Sequence, residues 1–380
     1  MIVRSSGWFV LPFVAVSLMA TACGTNSSDN NATPSSGAAA SGLSTKAVVA
    51  APPTRPPASI QVEQALSKAP AKGKKVIFLQ CELPACARYV PGINAATTAL
   101  GWSAKTEVFK NADPGGALQQ AINEHPDYIA ITGIPAAALK PQLAAARTAG
   151  IPVISCATPD KPTAAGYSVQ CGGTLATDAD YVARWVINDS GGKGHLVALT
   201  IPQFPVLNTE TDWLKANLKR LCSGCSLDQL DLTIDDVAGG QVASKLIAFV
   251  QSHPNVNYVY FTFNDLSRGV PAALKAAGFG GKVKLVGAAG DAAIMKTIGS
   301  GQNAWTIAPN VYSAWVMVDA MARLATGERL SEDYTNRVYA SPTWVVDSAG
   351  SAKRLAPTNY DWYGPGGFQQ KFKALWNVGA

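Results

Sequence analysis

The side chains in this sequence with the most reactive chemistry are cysteines. The chain has 7 Cys and 3 His in 380 residues. Cys81 and Cys86 lie in FLQCELPACARYVPG, just past the apolar run 76–79, which reads as a buried strand. The carboxyl end of a strand is where α/β proteins place their binding and catalytic groups. A second pair, Cys222-Ser-Gly-Cys225, follows a helical pattern over 212–221. A redox C-x-x-C wants its first thiol at a helix N-terminus, which lowers the pKa. This pair falls at a helix C-terminus, where the dipole disfavours a thiolate. A structural zinc site wants four ligands. A nucleophilic Cys wants a base beside it. His125, His195 and His253 sit in separate segments, away from the cysteine loops. We expect no catalytic residue, no metal and no cofactor.

The compartment decides what the cysteines do. Residues 1–22 hold one positive charge, Arg4, and an apolar stretch over 8–22. That stretch is too short to span a membrane comfortably. It has the size and flanks of an export signal. It ends Ala20-Thr21-Ala22-Cys23-Gly24, which resembles a bacterial lipobox with Cys23 as the lipidated residue. The expectation is an exported chain anchored through Cys23 to the outer face of the cell membrane. From Cys23 to residue 71 the composition turns polar, small and proline-rich, with no aromatic before Phe78. Such a segment cannot bury a core of its own, so 23–71 is expected to be a disordered tether, with a short helix possible over 61–67.

Lipidation of Cys23 leaves six cysteines. An even number in an exported chain points to disulfides, with 15 possible connectivities. The expected bonds are Cys81–Cys86 shaping a loop, Cys156–Cys171, and Cys222–Cys225 stapling a turn. Cys81 with Cys156, on adjacent strand ends, is the rival pairing.

The elements that must position these loops follow from apolar runs at 75–80, 127–131, 151–155, 195–200, 256–262 and 283–287. Continuous rather than alternating runs indicate parallel strands covered on both faces. Helical segments over 114–124 and 135–149 separate the first of them, the second stopping at Gly150 before Pro152. Repeated βα units make a doubly wound parallel α/β sheet. Two blocks, near 74–172 and 194–308, suggest two lobes, since the span is too large for one core. Charged residues are 15 % of the chain, with a net charge of +6. The densest basic run, Lys72 to Lys75, carries no interleaved aromatics, so no nucleic-acid partner is expected.

Several stretches in order carry a family resemblance: LPACARYVPGINAATTALGW, AINEHPDYIAITGIPAAALKPQLAAARTAGIPVIS, VNYVYFTFNDLSRGVPAALKAAG, KLVGAAGD and TIAPNVYSAWVMVDAMARLATGE. Together they resemble the type I periplasmic binding proteins of the ribose/galactose kind. The resemblance implies two Rossmann-like lobes joined by three crossings, here near 172–178, 308–312 and 338–343. That gives an N-terminal lobe of 72–174 plus 310–340 and a C-terminal lobe of 175–309 plus 341–380. It implies a monomer that closes on a small-molecule ligand and is read by an ABC permease. A ligand-sensing lipoprotein that presents its ligand to a membrane receptor or kinase is the alternative. A regulator of the same lobe type would need an N-terminal DNA-binding module, and 1–70 leaves no room for one.

The polar groups with which sugar-binding members hold hydroxyls are mostly replaced. The loop-one aromatics fall on Ala85 and Cys86, an Asp-Arg on Ala157-Thr158, and an Arg near Asn208. An Asp falls on Ala289, two residues before Asp291, and a Gln on Pro309, beside Asn310. Asn264 of the Asn-Asp turn is kept. Leaving a buried hydroxyl unmatched costs about 1–3 kcal/mol, so a hexose would not be held freely by such a set. The expected ligand residues are Glu82, Leu83, Tyr89, Thr132, Thr158, Phe204, Asn208, Phe263, Asn264, Asp291, Asn310 and Tyr312. They suit a less polar ligand than a sugar.

Overall fold

The computed structural model describes residues 48–158, 163–171, 174–307 and 309–379. The export signal, Cys23 and the tether as far as residue 47 lie outside the described residues. Among the described residues no helix is long and apolar enough to cross a membrane.

Two sheets form, their central strands buried on both faces and the edge strands Ser103–Phe109 and Ser226–Asp231 partly exposed. In the first lobe the strands are β1 (Lys75–Cys81), β2 (Ser103–Phe109), β3 (Tyr128–Thr132), β4 (Val153–Cys156) and β5 (Val169–Gln170), in the order β2-β1-β3-β4-β5. All of their pairings are parallel. In the second lobe they are β6 (His195–Thr200), β7 (Ser226–Asp231), β8 (Tyr258–Phe261), β9 (Lys284–Gly287), β10 (Ala304–Ile307) and β11 (Trp344–Val346), in the order β11-β10-β9-β8-β6-β7. Only β11, at the edge, runs antiparallel to its neighbour. Helices cover the faces because each parallel crossover must return over the sheet.

The helix Asn310–Ala325 follows a second-lobe strand but packs in the first lobe. Its residues Ala314, Trp315 and Val318 belong to the core that holds Phe78 and Ile93. The approach to the helix Val90–Ala99 is close: a Cβ on Gly92 would sit 2.5 Å from the Val311 carbonyl oxygen and 2.7 Å from Ala314 Cβ. Only glycine admits that backbone contact.

The chain passes between the lobes more often than the three crossings expected. Cys171 packs in the first lobe and Ala179 in the second, Ile307 in the second and Tyr312 in the first, and Tyr339 in the first and Trp344 in the second. A further change of lobe lies at the C-terminus. Leu355 and Trp362 pack in the second lobe, whereas Phe368, Phe372 and Trp376 pack in the first. Residues 368–379 therefore leave the C-terminal lobe to which they were assigned.

The N-terminal side holds another correction. Residues 48–71 are extended and contain no helix over 61–67, but they are not a free tether. Val49 exchanges two hydrogen bonds with the Asn188 side chain, both 3.0 Å, in the second lobe. The Pro53 carbonyl accepts from Val345 N–H on β11 at 2.9 Å. Ile60, Val62 and Leu66 are then buried in the first lobe. The Ala71 carbonyl accepts from the Trp102 indole at 2.8 Å. The segment has no core of its own, as its composition requires, but three apolar side chains find cover on a body already folded.

Candidate functional site

The carboxyl ends of the two sheets face a common cavity of about 170 Å³. From the first lobe it is lined by Cys81 at the end of β1, Thr132 at the end of β3, and Ala157 just past β4. The loop after β1 adds Leu83, Ala85, Cys86 and Tyr89, and that after β3 adds Gly133 and Ile134. The second lobe brings Phe204 after β6, Thr262 and Phe263 after β8, and Ala289 after β9. Three helices complete the wall. Thr174–Asp189 contributes Leu175 and Asp178, Pro205–Leu221 contributes Val206, Leu207 and Glu210, and Asn310–Ala325 contributes Asn310 and Ser313. Ser341, on a crossing segment, closes the list of polar neighbours. The lobes are also clasped by an ion pair between Arg88 and Asp361 at 2.8 Å.

The structure joins Cys81 to Cys86, Cys156 to Cys171, and Cys222 to Cys225. The rival Cys81–Cys156 bond is absent. The first bond sits in the cavity wall itself and ties the loop carrying Leu83 and Ala85 to the end of β1.

Of the residues expected to meet a ligand, Leu83, Tyr89, Thr132, Phe204, Phe263 and Asn310 line this cavity. The others do not, each for a visible reason. The Glu82 carboxylate turns outward to the Asn111 N–H at 3.1 Å and Lys110 Nζ at 3.3 Å. The Asn111 amide, ahead of Lys110, holds it below the usual carboxylate range. Asn208 lies on the helix Pro205–Leu221 but off the face shared by Val206, Leu207 and Glu210; its Oδ1 accepts from the Thr200 hydroxyl at 3.3 Å. Asn264 donates to Asp291 Oδ2 at 2.6 Å, and Asp291 Oδ1 caps the next helix by accepting from Ile294 N–H at 3.0 Å. These two polar groups serve each other and the backbone. Tyr312 is buried against Phe368 and Phe372. Thr158 is buried beside the wall residue Ala157 without lining the cavity.

Two carboxyl groups in the wall escaped the sequence reading. Asp178 is 1 % exposed and Glu210 0 %. Asp178 Oδ1 accepts from the Thr343 hydroxyl at 2.9 Å. Burial pushes its carboxyl up to about 7, against the pull of the Thr343 and Thr306 hydroxyls. Glu210 Oε1 accepts from the Tyr260 hydroxyl, and Oε2 has no partner among the described residues. Burial, then the nearby Asp178 charge, holds Glu210 well above the ordinary range. Both follow a wall leucine by three residues, Leu175 to Asp178 and Leu207 to Glu210. That helical spacing puts each pair on one face and was the signal available in the sequence.

The sequence matches the family described as "Periplasmic binding protein domain" over residues 86–329. No curated protein matches. Among solved structures, the chain is similar to the 5-methylthioribose transporter solute-binding protein of Thermotoga lettingae TMO, with 16 % identity and a TM-score of 0.65. That match covers 83 % of this chain and 100 % of the other. A carbohydrate transporter protein of Acidothermus cellulolyticus 11B, in complex with myo-inositol, gives 17 % and 0.64 over 76 % of this chain and 98 % of that one. An ABC transporter solute-binding protein of Mycobacterium smegmatis, with bound glycerol, gives 20 % and 0.62 over 74 % and 96 %. At these identities the structures speak for the fold, while the family match spans more than half of the sequence. The chain belongs to the periplasmic binding protein family, extracytoplasmic binding proteins rather than enzymes, and has the two-lobed type I fold.

Proposed function

We propose that this protein is the solute-binding component of an ABC importer, held to the outer face of the cell membrane through a lipidated Cys23. Its two lobes close on one small organic molecule less polar than a hexose. The observation that carries this reading is the wall of the cavity between the sheet ends. Leu83, Ile134, Leu175, Phe204, Val206, Leu207 and Phe263 give it its large apolar side chains. A cavity of about 150 Å³ lined by apolar side chains accommodates benzene, so the space here suits a single ring with a short substituent. Sugars and polyols, named for the similar solved structures, would leave hydroxyls facing hydrocarbon.

A ligand that binds only the folded protein raises its Tm by mass action. The test is a thermal-shift panel of pentoses, hexoses and polyols beside single-ring aromatic compounds. Aromatic compounds are expected to raise the Tm and sugars to leave it unchanged. A strong shift with a simple sugar overturns the less-polar reading. The anchor is tested by Cys23→Ser, which should move the expressed protein from the membrane fraction to the soluble one.

A further inference from the structure

The apolar wall is interrupted by two acids that have no cation. Among the described residues, neither Asp178 nor Glu210 is paired with Lys, Arg or His. The groups near them are acidic or neutral. Glu210 meets Asp178 and the Tyr260 hydroxyl. Asp178 meets the hydroxyls of Thr343 and Thr306, with Tyr89 and Tyr181 within electrostatic reach. Two neighbouring buried carboxyls cannot both ionise without a countercharge. One oxygen, Glu210 Oε2, is fully buried with its hydrogen-bonding capacity unused. Three aromatic rings, Tyr89, Phe204 and Phe263, share the same cavity. Ring faces attract a desolvated cation.

We infer that the ligand of this cavity is a small organic cation, a protonated amine on an apolar, ring-sized body, with its ammonium held by Glu210 and Asp178. The inference rests on the reading of the cavity as the ligand site. Hydrogen bonds from an ammonium to carboxylates are charge-assisted and stronger than neutral ones. The ligand supplies the countercharge that the fold omits, so binding drives proton release from the acid pair. Affinity for an amine therefore rises as the pH rises from 6 to 8, below the amine's own pKa.

The probes are benzylamine and its neutral isostere benzyl alcohol, measured by thermal shift and calorimetry on the wild-type protein and on Glu210→Gln. Gln keeps the size of the side chain and an acceptor for Tyr260, so the variant is expected to fold. Benzylamine should raise the Tm well beyond the shift given by benzyl alcohol. The amine should bind at least tenfold more weakly to Glu210→Gln, and its wild-type affinity should increase at least threefold between pH 6 and pH 8. Equal binding of both probes, or unchanged amine binding by Glu210→Gln, overturns the inference while the cavity stands as the ligand site. Silence of benzylamine overturns it too. If the sugar and aromatic panel is silent as well, the reading of the cavity falls with it.

Discussion

Two buried acidic sites in this molecule are built in opposite ways. Asp319, on the helix packed into the first lobe, is 0 % exposed and fully occupied. Oδ2 accepts from Arg323 Nε at 2.8 Å and from the Tyr339 hydroxyl at 2.6 Å, and Oδ1 accepts from the Trp376 indole at 2.7 Å. Arg323 in turn donates to Glu328 at 2.8 Å and to the Gln64 carbonyl at 2.6 Å. Asp178 and Glu210, equally buried, face a cavity with hydroxyl donors alone and an oxygen to spare. A buried charge persists when it is paired and hydrogen-bonded, and is costly otherwise. The first arrangement is architecture: it ties the crossover helix, the C-terminal segment and the N-terminal strap together. The second is left incomplete at the site where a ligand would enter.

The sharpest way to break this comparison is Asp319→Ala. It strands Arg323 in the core, and the loss should be roughly 3–5 kcal/mol in urea unfolding. A change below 1 kcal/mol would put the two acidic sites on the same footing. Next comes Leu66→Ala, on the strap that brings Gln64 to Arg323. Removing this buried side chain should cost about 3 kcal/mol, seen as a lower midpoint. A free tether would show no change. Replacing Cys81 and Cys86 together by Ser opens a short loop in the cavity wall. Loss of the cross-link should cost about 2 kcal/mol by the loop-closure argument and weaken the thermal shift given by whichever compound binds.

The smallest effect on stability, with the opposite sign, belongs to Glu210→Gln. Asp178 and Glu210 are both raised in the folded state. A raised carboxyl contributes stability that is complete below its unfolded pKa and is lost as the pH rises through its folded value. For Asp178 that window runs from roughly 4 up to about 7. The ligand-free protein should therefore melt lower at pH 8 than at pH 5. Glu210→Gln should raise the Tm at pH 8 and flatten the slope, as followed by circular dichroism. A Tm independent of pH would mean that the acid pair already has a countercharge.

Much of the fold was legible because its strands announce themselves. The runs near 75–80, 127–131, 195–200 and 283–287 have apolar centres with polar residues only at or near their ends, as strands covered on both faces must. β2 and β7 were not read, since Ser-Ala-Lys-Thr-Glu-Val-Phe and Ser-Leu-Asp-Gln-Leu-Asp are edge strands with half their side chains in water. The strap over 48–71 departs from what its composition predicts for a related reason. Composition measures whether a segment can bury itself, whereas Ile60, Val62 and Leu66 are buried by others.

The site divides along the same line. Loop residues at the carboxyl ends of strands, such as Leu83, Thr132 and Phe263, reach the cavity because strand order and chain direction alone bring those ends together. Polar residues in the same loops, such as Glu82, Asn264 and Asp291, turned to nearer partners, and no pattern of spacing reveals that choice.

What the sequence by itself determined was local and periodic: parallel strands, the helices between them, the family, and cysteine pairs near enough in sequence to close on themselves. What only the tertiary structure decided was which helix face meets the cleft. Leu175-x-x-Asp178 and Leu207-x-x-Glu210 would look like ordinary amphipathic turns with their acids in water. Packing of these two helices on the second-lobe sheet, beside Tyr260 of β8 and Thr306 of β10, turned those faces inward and left two carboxyls buried without a cation among the described residues. Burial, unlike periodicity, is set by residues far away in the chain.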